Sequence, residues 1–283
     1  MNFHREPSTF VGQVNINVTN LERSLQFYQE VIGFKILERF ENQAILTADG
    51  KTPLLTIEQP DNVTPQQPRT TGLYHFALLL PKRADLAQVV EHFITNRYAV
   101  QGASDHLVSE ALYLGDPDGN GIEIYADRPE TTWRWADGEV AMTTEPLDIE
   151  DLLTEVQGGV WNGLASATVM GHIHLHVSEL QKTEEFYNKG LGFDVVTRYG
   201  NQALFMSTSQ YHHHIGLNTW AGVGAPTPPA NSVGLNWYSL VFPSEEARKE
   251  TIVKLKSIGA LVHEENGIVL TKDPSGNHIR LMV

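Results

Sequence analysis

Residues 24–34 read SLQFYQEVIGF, and residues 183–193 read TEEFYNKGLGF. In the first copy, Leu25, Phe27, Tyr28, Val31 and Ile32 fall at helical spacing. Gly33 stands where a C-cap glycine ends a helix. A frame that recurs in both halves of a chain is an internal repeat, and it has to be settled before the fold. Each copy follows an alternating strand, residues 11–21 (VGQVNINVTNL) and 169–180 (VMGHIHLHVSEL). The first is followed by three short strands, 34–40, 44–48 and 54–58.

A second pair of segments repeats in the same way. Residues 72–81, GLYHFALLLP, match 234–243, GLNWYSLVFP. Each leads into an expected helix, around 84–97 and 244–258, and later reaches a common turn and strand. That ending is DPDGNGIEI at 116–124 and DPSGNHIRL at 273–281, with Pro fixing φ and Gly supplying the reversal. The expected fold is therefore α+β, with four βαβββ units forming two domains. The first domain is 1–127, with units 11–60 and 72–127; the second is 169–283, with units 169–220 and 234–283. Residues 128–168 are read as a structured linker with a helix at 148–156, residues 1–10 as a polar lead-in, and the Pro/Gly-rich 221–230 as a loop.

Composition narrows the function. The chain has 283 residues and no cysteine, which excludes a disulfide framework, a zinc finger, an iron–sulfur cluster and a thiol nucleophile. The net charge of −14 makes nucleic acid and anionic membranes poor partners. No run approaches the ~18 apolar residues of a membrane span, and residues 1–12 lack an apolar signal core. A cytoplasmic protein is expected. The twelve histidines and the carboxylates are the strong metal ligands left.

Residues 104–125 read SDHLVSEALYLGDPDGNGIEIY. Glu123 lies inside the final strand, where a buried carboxylate is costly unless a cation holds it. The repeat frames, the DPDGNGIE turn and this stretch together resemble the vicinal-oxygen-chelate superfamily (glyoxalase I, bleomycin-resistance proteins, type I extradiol dioxygenases). The likeness covers nearly all of 11–127 and 169–283. Residues 104–123 follow the extradiol signature, with Ser104 the one departure, and the whole chain looks most similar to the Bacillus-type catechol-2,3-dioxygenase group. That resemblance implies a metal site, with Glu123 as a ligand and His106 and Tyr113 as catalytic neighbours.

In such a family, ligands sit on the first and last strands of each unit. The candidate pairs are Gln13 and Glu58, His75 and Glu123, His172 and Asn218, and Trp237 and Arg280. Pairing units one and two would give the glyoxalase set Gln13, Glu58, His75 and Glu123. Pairing units three and four gives a poor metal site containing Arg280. Pairing two with three gives His75, Glu123 and His172, the two-imidazole, one-carboxylate triad of non-haem Fe(II) oxygenases. The crossed pairing is favoured, with Arg280 then compensating Glu58. His174 and His176 share the strand face of His172. In 211–218, His214 shares strand parity with Asn218 and is expected in the same cavity, as a proton carrier. The resemblance then implies an oxidoreductase of aromatic catabolism or catechol detoxification. Its cofactor would be Fe(II), with Mn(II) sharing the triad, and its substrates a small aromatic diol and O2. The chain would be a monomer or homodimer. The competing readings are a glyoxalase-type isomerase and a metal-free binding or resistance protein.

Overall fold

The computed structural model describes residues 3–156 and 158–283. Unit one runs β1 (Phe10–Asn17), α1 (Leu21–Phe27), a π-helical turn (Tyr28–Ile32), β2 (Lys35–Arg39), β3 (Gln43–Thr47) and β4 (Leu55–Glu58). Unit two runs β5 (Gly72–Leu80), α2 (Arg83–Asn96), β6 (Gly102–Asp105), β7 (Ser109–Gly115) and β8 (Gly121–Asp127). The connection carries three two-residue strands, β9 (Trp135–Ala136), β10 (Glu139–Val140) and β11 (Glu145–Pro146), and α3 (Ile149–Leu153). Unit three is β12 (Val169–His176), α4 (Leu180–Glu185), a second π turn (Phe186–Gly190), β13 (Asp194–Tyr199), β14 (Ala203–Ser207) and β15 (Ile215–Asn218). Unit four is β16 (Gly234–Val241), α5 (Glu245–Ser257), β17 (Val262–Glu265), β18 (Ile268–Lys272) and β19 (His278–Met282).

The units pair across the two sequence halves. Units one and four share an eight-stranded sheet, ordered β17-β18-β19-β16-β1-β4-β3-β2. Units two and three share a nine-stranded sheet, β11-β6-β7-β8-β5-β12-β15-β14-β13. The seams β1–β16 and β5–β12 are antiparallel. The halves are tied differently, by the repeat motifs themselves. Tyr28 of the first frame donates to Asp116 Oδ2 at 3.0 Å, and Tyr187 of the second donates to Asp273 Oδ2 at 3.2 Å. Each aspartate also accepts from two backbone N–H groups of its own turn, those of Asp118 and Asn120 or of Ser275 and Asn277. Within each half, then, one unit's helix end locks the next unit's turn while the sheets cross over. The π turns were not expected. In the first, Gly33 N–H bonds the carbonyl of Tyr28, the wider ring of a π turn, and Gly33 closes the segment at φ 91°.

Two readings of the chain ends and connections need correction. Over its described part, residues 3–10, the start of the chain is no mere polar lead-in. Phe3 and His4 are buried, Phe3 stacking on Trp133 and meeting Tyr211, which in turn bonds Tyr125 of β8. The helix expected over 148–156 is shorter, Ile149–Leu153, started by the Asp148 side chain accepting from Asp151 N–H.

Candidate metal centre

Sheet register gathers the site on one face. His172 on β12 lies opposite Ala77 on β5, Ala77 beside Glu123 on β8, and Glu123 opposite Tyr113 on β7. His174 lies opposite His75. Paired residues share a face, so five functional side chains and one alanine point the same way. Close packing beneath depends on glycine: a Cβ at Gly216 would meet the His174 ring at 2.8 Å.

His75 Nε2 lies 3.0 Å from Glu123 Oε2, and His172 Nε2 lies 3.2 Å from the same oxygen. Ligand atoms from His75, Glu123 and His172 all fall within 4.8 Å of one another, the one such cluster among the described residues. Two ligands at right angles, each about 2.1 Å from a metal, stand about 3 Å apart. The observed separations therefore suit two edges of a facial triad. His75 Nε2 is buried and close to the carboxylate without hydrogen-bond geometry. A buried nitrogen left in that state needs another partner, and a metal ion supplies one. Burial pulls the His172 imidazole down to about 4. Burial pushes the Glu123 carboxyl up, but the pull of His172 and His75 outweighs it and holds the group well below the usual range. His172 neutral and Glu123 ionised are the states in which both offer lone pairs to a metal.

A cavity of about 290 Å³ opens onto His75 and Glu123. Tyr74, Phe205 and Trp220 form apolar wall, and neither Lys nor Arg lines it. His106 and Tyr113 both reach it and are bonded to each other at 2.6 Å. The Thr143 carbonyl accepts from His106 Nδ1, at 2.6 Å, so the Tyr113 hydroxyl is the donor to a neutral His106 Nε2. Burial, then the Glu123 charge, pushes the Tyr113 phenol well up. His174 also lines the cavity, with Nε2 buried and unpartnered. His176 lies outside it, on Asn218 Oδ1 at 2.7 Å.

His214 does not reach the cavity, contrary to expectation. It is fully buried away from the cavity, Nε2 on the Phe3 carbonyl at 3.0 Å and Nδ1 accepting from Thr208 N–H at 3.4 Å. Its neighbour His213 is the one that lines the cavity, its ring 4.1 Å from that of His172. Parity misled here because β15 begins only at Ile215, and the three histidines before it lie in irregular backbone. Sequence reasoning passed over His213; no spacing rule applies to a residue outside the strand.

The other sheet holds no comparable cluster among the described residues. Gln13 and Glu58 lie on β1 and β4, in a different sheet from His75 and Glu123, so the glyoxalase set is split between two sheets. Gln13 Nε2 donates to Thr56 at 2.8 Å. Glu58 accepts long bonds from Asn15 and Asn236, at 3.4 Å each. Arg280 lies 3.5 Å over the Trp237 ring, with the Glu58 charge acting on it. A cation–π pair occupies the position that a ligand would take.

The family model for the glyoxalase/bleomycin resistance protein/dioxygenase superfamily matches residues 10–124 and 169–281. A catechol-2,3-dioxygenase of Bacillus subtilis (strain 168) is 47% identical over 279 residues, covering 97% of this chain and 98% of that one. A biphenyl-2,3-diol 1,2-dioxygenase of Rhodococcus globerulus is 32% identical over 166 residues, 56% of this chain and 78% of that one. Among solved structures, a putative dioxygenase from Bacillus subtilis superposes with a TM-score of 0.64 at 14% identity, over 97% of this chain and 84% of that one. Glyoxalase I from Zea mays does so with 0.59 at 15%, over 97% and 92%. At such identities these two structures speak to the fold alone.

Proposed function

The chain belongs to the glyoxalase/bleomycin resistance protein/dioxygenase superfamily, and on that premise we propose that it cleaves a catechol with O2 next to the diol at a mononuclear Fe(II) site. The product would be of the 2-hydroxymuconic semialdehyde type. The chain is a catechol-2,3-dioxygenase-like enzyme, by its 47% identity to a protein of that name over nearly its whole length. The observation that carries the reading further is the His75–Glu123–His172 cluster, two of whose members, His75 and Glu123, line one cavity with an imidazole, His213, and a phenol, Tyr113.

His75, Glu123 and His172 would hold the metal. When bound, Fe(II) supplies Lewis acidity that lowers the pKa of a phenol and a redox path between catecholate and dioxygen. The protein's part is positional. Tyr74, Phe205 and Trp220 would clasp the ring and exclude water. With no cation in the lining, an uncharged ring fits better than a carboxylated one. His213 takes the role first assigned to His214 and would accept a proton from a substrate hydroxyl. Tyr113, its own O–H held by His106, would accept a hydrogen bond from a substrate hydroxyl. Holding both reactants side by side removes much of the entropic barrier.

The test is purification under anaerobic conditions, loading with Fe(II) or Mn(II), and addition of catechol followed by air. Oxygen uptake with a yellow ring-fission product is expected with about one metal per chain. Absence of both across several uncharged catechols would sink the reading.

A further inference from the structure

Behind the cavity, His213 is continued by two groups that the reaction does not touch. His213 Nδ1 lies 2.8 Å from His212 Nδ1, and His212 Nε2 lies 2.8 Å from Asp127 Oδ1. His212 is fully buried, whereas Asp127 is 24% exposed at the side chain and lines a separate surface cleft with Arg128 and Trp133. The same Asp127 oxygen accepts from Tyr211 at 3.2 Å, and Tyr211 is bonded to Tyr125 at 2.7 Å. We propose that Asp127 and His212 are positioning residues that lock His213 in the Nδ1–H tautomer, so that its Nε2 meets the cavity as a proton acceptor. The proposal rests on the dioxygenase reading for its purpose but not for its geometry.

With both imidazoles neutral, donor and acceptor inventory fixes where each proton sits. A carboxylate can only accept, so the proton of the Asp127–His212 bond sits on His212 Nε2. A neutral imidazole with a proton there has a bare lone pair at Nδ1. The 2.8 Å contact between the two Nδ1 atoms needs one donor, and His213 must be it. A neutral His213 that donates from Nδ1 carries its free lone pair on Nε2. Among the described residues Nε2 has no hydrogen-bond partner, and His213 lines the cavity. An Asp–His pair that orients a working imidazole does the same for a metal-bound histidine or a hydrolase base. Here a second imidazole is inserted between carboxylate and working ring.

Nitrogen-15 NMR of the full-length protein with labelled histidine reads the tautomer directly. Zn(II) stands in as a diamagnetic metal, and loss of the resonances in His213→Gln assigns them. Wild-type protein should show His213 protonated at Nδ1 and unprotonated at Nε2. Asp127→Leu removes the acceptor that keeps the His212 proton at Nε2, so His213 should no longer be held as the Nδ1–H tautomer alone. Tyr211→Phe, which keeps the Asp127–His212 bond, should leave the tautomer as in wild type. With iron bound, Asp127→Leu should lower kcat by about 10–100-fold, the usual cost of losing such a partner, with KM for catechol within about threefold. A wild-type spectrum with the proton on Nε2 overturns the proposal without need of any variant, as does an unchanged tautomer in folded Asp127→Leu. The predicted tautomer without oxygen uptake from catechol would uphold it while removing the dioxygenase reading.

Discussion

His213 and His214 are adjacent, both buried, and chemically the same, yet of the two it is His213 that lines the cavity. Their substitution should separate cleanly. His213→Gln is expected to keep about one iron per chain and lose kcat by about 10²–10⁴-fold, the usual worth of a positioned acid–base group. His214→Leu should keep kcat within about twofold and lose about 1–3 kcal/mol of stability, since it leaves the Phe3 carbonyl without its donor. Stopped-flow kinetics with urea unfolding checks both, and the reverse pattern would reinstate His214. At the ligands, Glu123→Ala and His172→Ala should each cut activity by more than the roughly 10–100-fold cost of an outer partner, with iron lost on elemental analysis. Glu58→Ala, in the other sheet, should leave both in place. Loss with Glu58→Ala and retention with His172→Ala would favour the glyoxalase constellation. The ligand positions were legible because strand period and repeat position fix which side chains share a face. His213 was not, because irregular backbone carries no period.

At the scale of elements, the seam between β5 and β12 has a small residue where a large one would be fatal. Register places Ala77 between Glu123 and His172, next to each across a strand pair. It is fully buried, with Ala111 and Tyr125 as apolar neighbours. A branched side chain there would compete for the space between two ligands. Ala77→Val is therefore expected to weaken Fe(II) binding at least about tenfold, at a stability cost of about 1–3 kcal/mol from overpacking. Calorimetric metal titration on protein shown to be folded by circular dichroism decides it; unchanged affinity would mean that the register argument is wrong. Helix and strand positions were readable to within a few residues, as with α2 and α5, because burial of one face imposes its period on sequence. The π turns at Tyr28 and Phe186 escaped that reading. The wider turn changes hydrogen-bond geometry, not the hydrophobic pattern, and its effect shows only where Tyr28 and Tyr187 reach Asp116 and Asp273.

For the whole molecule, the crossed pairing of units could be argued from ligand chemistry, since no other pairing joins two histidines to a carboxylate. The role of residues 3–10 could not, because nothing in a short aromatic segment says which surface it will cover. That segment couples folding to pH. His4 Nε2 bonds the Gly171 carbonyl at 2.7 Å, and His214 bonds the Phe3 carbonyl, so two buried imidazoles fasten residues 3–9 behind the site. Burial lowers the pKa of both, and the charge of His4 lowers that of His214 further. A histidine depressed in the fold is neutral there while the unfolded chain, near 6.5, takes up a proton. Stability is thus fully present above about pH 6.5 and falls as pH drops below it, by up to about 1.4 kcal/mol per pH unit for each such group. Asp116 and Asp273 have the opposite sign, burial raising their carboxyls, so they oppose the fall rather than cause it. Metal-free protein should therefore show a lower urea midpoint at pH 5.5 than at pH 7.5. A His4→Gln, His214→Gln double variant can still donate to both carbonyls but cannot titrate, and its midpoint should depend less steeply on pH. If the double variant keeps the wild-type slope, the acid sensitivity belongs to other groups and the segment is held by its aromatic packing alone.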